Sequence, residues 1–339
     1  METPLRPMSL GEILDRTAQL YRTNFLLFAG IASVYAGVLL VVGLVQTGLA
    51  EWLRQSHRTS ALIWVSGVSV LVSWIAAFIF GGIAEAANNR AVAWVHLGEP
   101  ATIRGAYRSI LPRVARYLWL AFLKLILAWT PVIVIYGAFI VIGIYFKVKG
   151  LLPTAGQPQP HLQMNTAVIT LGIAAVILMV ALVPAFIYGV IMGLRYALAV
   201  PACVVESLNA RAAIKRSIEL TKWSRGRIFV LGLLVTVITV GLVLVTQMFF
   251  LFAASKSHGQ LPVGLLILQQ IVGFGTTTFV APILATGLTL FYYDQRVRKE
   301  GYDIEWMMQA AGMTAIAAPE WPALQAEGET APSAGNQNE

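Results

Sequence analysis

The chain has 339 residues, 58% of them hydrophobic and only 12% charged. Soluble domains carry about 25% charged residues, so a water-soluble globular protein is excluded and a polytopic membrane protein is expected. The net charge of +8 would suggest nucleic acid in a soluble chain, but here every basic segment flanks an apolar run, which points to lipid headgroups and excludes nucleic acid.

The first element is a charged stretch, "SLGEILDRTAQLYRTNF" from Ser9 to Phe25. Its apolar residues fall within one arc of about 160° on a helical wheel, with Glu12, Asp15, Arg16 and Arg22 opposite. Ser9 and Glu12 have capping-box spacing, so a helix with a definite start is predicted, its apolar face suited to a membrane surface. A spanning helix needs roughly 20 apolar residues, and the charge-poor windows supply six: near 25–49, 61–84, 117–146, 166–194, 228–255 and 264–292. Only Lys124 interrupts one of them, at a depth a lysine stem can snorkel across. The first window is too long for a cleavable signal and reads as a retained span. Residues 294–339 read as a cytosolic tail, disordered in type after 306.

Orientation follows from the short loops. Eighteen Lys and Arg fall on the side of the N-terminus and the second and fourth loops, and five on the other side. By the positive-inside rule both termini are expected in the cytoplasm. Trp52, Trp64, Trp119 and Trp223 fall near the span ends, where indoles anchor at headgroup level.

The opening pattern recurs. "TIRGAYRSILPRVARYLWL" has apolar residues at 103, 106, 107, 110, 111 and 114 behind a candidate cap, Thr102. "NARAAIKRSIELTKWSRGRIF" repeats that spacing from Ala210 behind Asn209. Aligning "ILDRT", "AYRS" and "IKRS" superposes Arg16, Arg108 and Arg216, at intervals of 92 and 108 residues. The fold class expected is therefore all-α, with six transmembrane helices in three units of cytosolic amphipathic helix plus transmembrane hairpin.

Three stretches carry a family likeness: "PMSLGEILDRTAQLYRTNF", "LRYALAVPACVVESLNARAAIKRSIELTKWSRGR" and "LFYYDQRVRKEGYDIEW". They resemble the membrane domain of the bacterial glycerophosphoryl diester phosphodiesterase family, over roughly residues 7–306. The resemblance implies a multi-helix membrane domain, which in some relatives precedes a catalytic domain. Here 33 residues follow Trp306, so the catalytic half is not expected to carry over.

No metal-protease, P-loop, dinucleotide or serine-hydrolase signature occurs. The expected outer loops hold a single acid, Glu51, which disfavours hydrolysis there, and no cofactor is expected. His57, His161 and His258 share that side and would bind zinc only if they converged. Arg195 and Glu206 bracket "YALAVPACVV", with Pro201 expected to break the helix between them, and are candidates for an interfacial pair or a headgroup contact. With Arg16, Arg108 and Arg216 they form the candidate contact set for lipid or a partner protein in trans. The expected role is a membrane scaffold or a partner- and lipid-binding domain without its own catalytic site. The alternative is a small transporter or lipid-handling protein whose helices are broken at Pro131, Pro184 and Pro282.

Overall fold

The computed structural model describes residues 6–56, 59–148, 166–256 and 262–310. These residues form helices joined by short turns, with no strand among them. The helices are α1 (Leu10–Thr23), α2 (Phe25–Gln55), α3 (Thr59–His96), α4 (Ile103–Ile110), α5 (Val114–Val148), α6 (Thr166–Arg195), α7 (Ala199–Val205), α8 (Ala210–Thr221), α9 (Arg225–Lys256), α10 (Val263–Glu300) and α11 (Tyr302–Ala310). Six of them, α2, α3, α5, α6, α9 and α10, are long and apolar enough to cross a membrane. The chain is thus built as a multi-pass membrane protein.

These helices outrun the apolar windows that announced them. α3 and α10 each have 38 residues, about 57 Å at 1.5 Å per residue, against a hydrocarbon core of roughly 30 Å. Charge-free windows stop at Glu85 and Asp294, but the helices run on to His96 and Glu300. A charge ends a lipid-compatible run without ending a helix. Residues 294–300 therefore continue the last span, and Gly301 closes it. Its φ of 65° is the left-handed conformation that glycine adopts at least cost.

Each long helix touches the next in chain order, and α10 returns to α2, so the six close a ring, with α10 also reaching α3 across it. Packing within the apolar section is sparse, and most of those side chains face outward. Lipid tails are as apolar as leucine, so nothing drives these side chains together. The dense core lies at one end. There the extensions of α3 (Ala86, Ala87, Ala91, Val92), α7 (Val200, Ala202, Cys203) and α10 (Leu290, Phe291, Tyr292) are buried against one another. Small residues let these backbones approach closely.

The short helices clamp that core. α1 begins with the expected capping box: Ser9 Oγ accepts from Glu12 N–H at 3.3 Å, and Ser9 N–H donates to Glu12 Oε2 at 2.6 Å. Thr102 Oγ1 caps α4 by accepting from Gly105 N–H at 3.0 Å. Asn209 occupies the cap position of α8, but its side chain makes no capping bond. The buried faces are Ile13, Thr17 and Leu20 in α1, Ala106 and Ile110 in α4, and Ala213, Ser217 and Leu220 in α8. Protein, not the bilayer surface, covers these apolar stripes. Caps and buried residues superpose at intervals of 93 and 107 residues, as in Ser9, Thr102 and Asn209. Arg108 therefore sits one residue out of register with Arg16 and Arg216, because the buried face and not the guanidinium sets each helix's rotation.

The prolines also differ from expectation. α5, α6 and α10 run unbroken through Pro131, Pro184 and Pro282. The interruption before Glu206 falls at residues 196–198, and Pro201 lies in the first turn of α7. A first-turn proline lacks only an N–H that would have had no helical partner. Gly189 and Gly193 have the GxxxG spacing that permits close helix approach; Gly189 lies against Trp129 and the Ala128 carbonyl, so α5 and α6 meet closely there, while a Cβ at Gly193 would meet nothing within 4 Å.

Candidate functional site

The expected Arg195–Glu206 pair does not form. α6 ends at Arg195, whose carbonyl accepts from Ser217 Oγ at 2.8 Å, while its Nη1 faces Met192 Sδ at 3.7 Å. Glu206 caps α7 and turns to α8 and α10 instead. Arg216 Nε donates to both of its oxygens, at 3.0 and 3.1 Å, and Tyr292 Oη donates to Oε1 at 2.6 Å. Arg216 also reaches Glu300 through Nη2 at 2.7 Å, and Arg296 Nε donates to the same carboxylate at 3.1 Å. Hydrogen bonding to Glu300, and then to Glu206, pushes the Arg216 guanidinium further above its usual range than partial burial pulls it down. Of the candidate contact residues, Glu206 and Arg216 are thus brought together and tie α7, α8 and α10. Arg16 donates to Gln19 Oε1 on its own helix at 2.8 Å, and Arg108 stays on the exposed face of α4.

A second cluster went unnoticed in the sequence. Asp294 has a fully buried carboxylate. It accepts from Met8 N–H at 2.7 Å, from Arg298 Nε at 3.0 Å and from Arg227 Nη1 at 3.3 Å. Arg227 and Arg298 also donate to the Met8 carbonyl, at 2.7 and 2.6 Å. The entry of the chain into α1 is thereby pinned to α9 and α10. The only available signal was an acid directly behind an apolar run, in "FYYDQRVR". Arg113 and Arg116, counted in the sequence merely as orientation charges, hold the turn at Ser207, whose φ is 54°, by bonds of 3.1 and 2.7 Å.

Nearer the membrane, the helix ring encloses a crevice of about 510 Å³ between α2, α3, α9 and α10. Its lining is mostly aliphatic, with Glu85 and Asn88 from α3, Tyr35 from α2, Thr239 from α9 and Thr276 and Thr277 from α10 as polar members. A second hollow, about 380 Å³, lies between α3, α5 and α6 and contains Lys124. Glu85 and Gly81 border both. Lys124 Nζ lies 3.5 Å from Glu85 Oε1, so the lysine expected to snorkel has a carboxylate within reach. Glu85 was missed because it is the first residue beyond a charge-free window.

His57, His161 and His258 lie outside the described residues. Among the described residues no group of three or more His, Cys, Asp and Glu is placed to hold a metal. His96 is instead half-buried beside the Tyr293 ring, with centroids 5.0 Å apart and both ring nitrogens shielded and without a hydrogen-bond partner. Cys203 is a buried free thiol. No family model, no curated protein and no solved structure matches this chain.

Proposed function

We propose that the chain is a bacterial inner-membrane protein with both termini in the cytoplasm, acting as a lipid- and partner-binding platform without catalytic chemistry of its own. The observation that carries this reading is the segregation of charge. Eighteen Lys and Arg fall on one predicted side and five on the other. On the first side, α4 and α8 turn Arg104, Arg108, Arg211 and Lys215 outward while their apolar faces are spent on the protein core. Basic side chains at that level attract anionic headgroups at about 1 kcal/mol each.

In this reading α1, α4 and α8 each introduce a transmembrane hairpin, giving three units. Recurrence of cap and buried face supports it. The likeness to the phosphodiesterase membrane domain belongs here too. Its three stretches are α1, the α7–α8 region and the end of α10, which meet through Asp294, Glu206 and Arg216. A partner supplied in trans would then dock on the basic rim.

Reporter fusions at Ser224 and Gly259 are expected on opposite sides, the first cytoplasmic. Finding both on one side refutes the topology. Alanine at Arg104, Arg108, Arg211 and Lys215 together is expected to reduce co-purifying phosphatidylglycerol severalfold, and an unchanged lipid profile refutes the platform. A second reading, a lipid-handling or small transport protein, is favoured by the crevice beside Glu85.

A further inference from the structure

The crevice beside Glu85 has a chemistry that the platform role does not use. Its walls are chiefly aliphatic, as an acyl chain requires. Hydroxyls line it from α2, α9 and α10, but its one charged group and its one carboxamide both come from α3. Glu85 and Asn88 are three residues apart and share a helix face. Asn88 is 4% exposed, yet its Oδ1 has no hydrogen-bond partner. A buried carboxamide oxygen left unsatisfied is costly, and native proteins rarely tolerate one without a ligand or water to satisfy it. Glu85 lies at the end of the apolar run of α3, where acyl chains give way to headgroups.

Charge narrows the ligand further. Lys124 stands opposite Glu85 at 3.5 Å, longer than the 2.7–2.9 Å usual for a close charge-assisted bond, and both side chains retain exposure, 23% and 40%. A loosely held pair of opposite charges matches a headgroup that is itself a pair. Lys124 would take a phosphate and Glu85 an ammonium. Asn88 Oδ1 adds a second acceptor near the carboxylate. Two acceptors call for a cation that donates more than one hydrogen bond, which a primary ammonium does and a trimethylammonium cannot.

We infer that this crevice is a binding site for a zwitterionic phospholipid with a primary-amine headgroup, such as phosphatidylethanolamine, recognised through Glu85 and Asn88 of the crevice and through Lys124, which reaches Glu85 from the adjoining hollow. The site lies inside the helix ring and uses none of the rim cations, so it goes beyond the platform role.

The test is native mass spectrometry of the full chain, released from detergent with equal amounts of phosphatidylethanolamine, phosphatidylcholine and phosphatidylglycerol. Wild-type protein is expected to retain phosphatidylethanolamine about ten-fold better than phosphatidylcholine, the equivalent of one good hydrogen bond. Asn88→Leu and Glu85→Gln are each expected to erase that preference. Asn88→Asp keeps an acceptor in nearly the same shape and is expected to preserve it, which covers the case of Asn88→Leu failing to fold. Thr239→Phe, which fills the crevice from α9, is expected to displace the lipid without touching Glu85. Equal retention of the two zwitterionic lipids by the wild type, or an unchanged preference in Glu85→Gln, overturns the assignment. Competition by soluble phosphoethanolamine at lipid-like concentration also overturns it, because the ligand would then be a free solute. Alanine at the four rim cations is expected to lower phosphatidylglycerol retention alone, so failure of the platform and failure of this site are told apart.

Discussion

Replacing Asp294 by asparagine removes one charge at the point where the N-terminal segment is pinned. The carboxylate is fully buried and contacts Arg227, Arg298 and the Met8 N–H. Deleting one partner of a buried ion pair costs roughly 3–5 kcal/mol. Here the guanidinium groups are 29% and 36% exposed, so water recovers part of their hydration, and both keep their bonds to the Met8 carbonyl. Asparagine also retains an acceptor for the Met8 N–H. The expected cost falls to about 2 kcal/mol, and Asp294→Ala, which loses that acceptor as well, rises to about 3 kcal/mol. Cys203 supplies the assay. It is the single cysteine of the chain and is 0% exposed within the same clamped core. A thiol reagent therefore reads how often the core opens. At ten-fold per 1.4 kcal/mol, Asp294→Asn should speed labelling about thirty-fold and Asp294→Ala more than a hundred-fold. Labelling of both variants at the wild-type rate would show that the clamp contributes nothing, and the account of how α1 is held would fail.

Arg216→Glu and Glu206→Arg should each destabilise the α7–α8–α10 junction by roughly 2–4 kcal/mol, and the double swap should recover at least half, read from the same thiol kinetics. Recovery with an Arg195 swap instead would restore the pair expected from sequence. Gly189→Leu would drive a side chain into Trp129 and the Ala128 carbonyl, which a Cβ would already meet at 3.2 and 3.3 Å. It should cost about 1–3 kcal/mol of thermal stability in detergent, whereas Gly193→Ala should be silent. Ser9→Ala should destabilise the start of α1 by about 1 kcal/mol, seen as faster amide exchange at residues 10–13. Bonds from the Ser9 backbone N–H and hydroxyl, then from Arg6, hold the Glu12 carboxyl below its ordinary value of 4.5. A depressed carboxyl stabilises above its unfolded pKa and loses that contribution as pH falls through the folded value. Fraying of α1 should therefore set in only below pH 4.5, and Glu12→Gln should remove that pH dependence.

Cys203 illustrates what one sequence makes legible. It lies in the apolar stretch "ALAVPACVVES", a context that by itself predicts a buried thiol, and it is buried. The caps at Ser9 and Thr102 were equally plain, because capping depends on residues three positions apart. Partner choice was not. Glu206 had Arg195 and Arg216 as chemically equivalent cations within reach along the chain. The bend at residues 196–198 decides between them, and it is set by packing of α7 and α8 rather than by Pro201.

Composition and spacing along the chain were enough to locate the six helices, among the described residues, that are long and apolar enough to cross a membrane, and the starts of the short helices before them. Lipid offers no hydrogen bonds to a backbone, so a long apolar run has a helix as its only single-segment solution, and composition suffices to find it. Tertiary structure alone decided which charges neutralise one another, how far the helices extend past the apolar runs, and that Glu85, Asn88 and Lys124 share the walls of adjoining hollows. Those outcomes join residues as far apart as Met8 and Asp294. They depend on helix rotation and packing, and the identity of a residue along the chain does not encode which distant partner will face it.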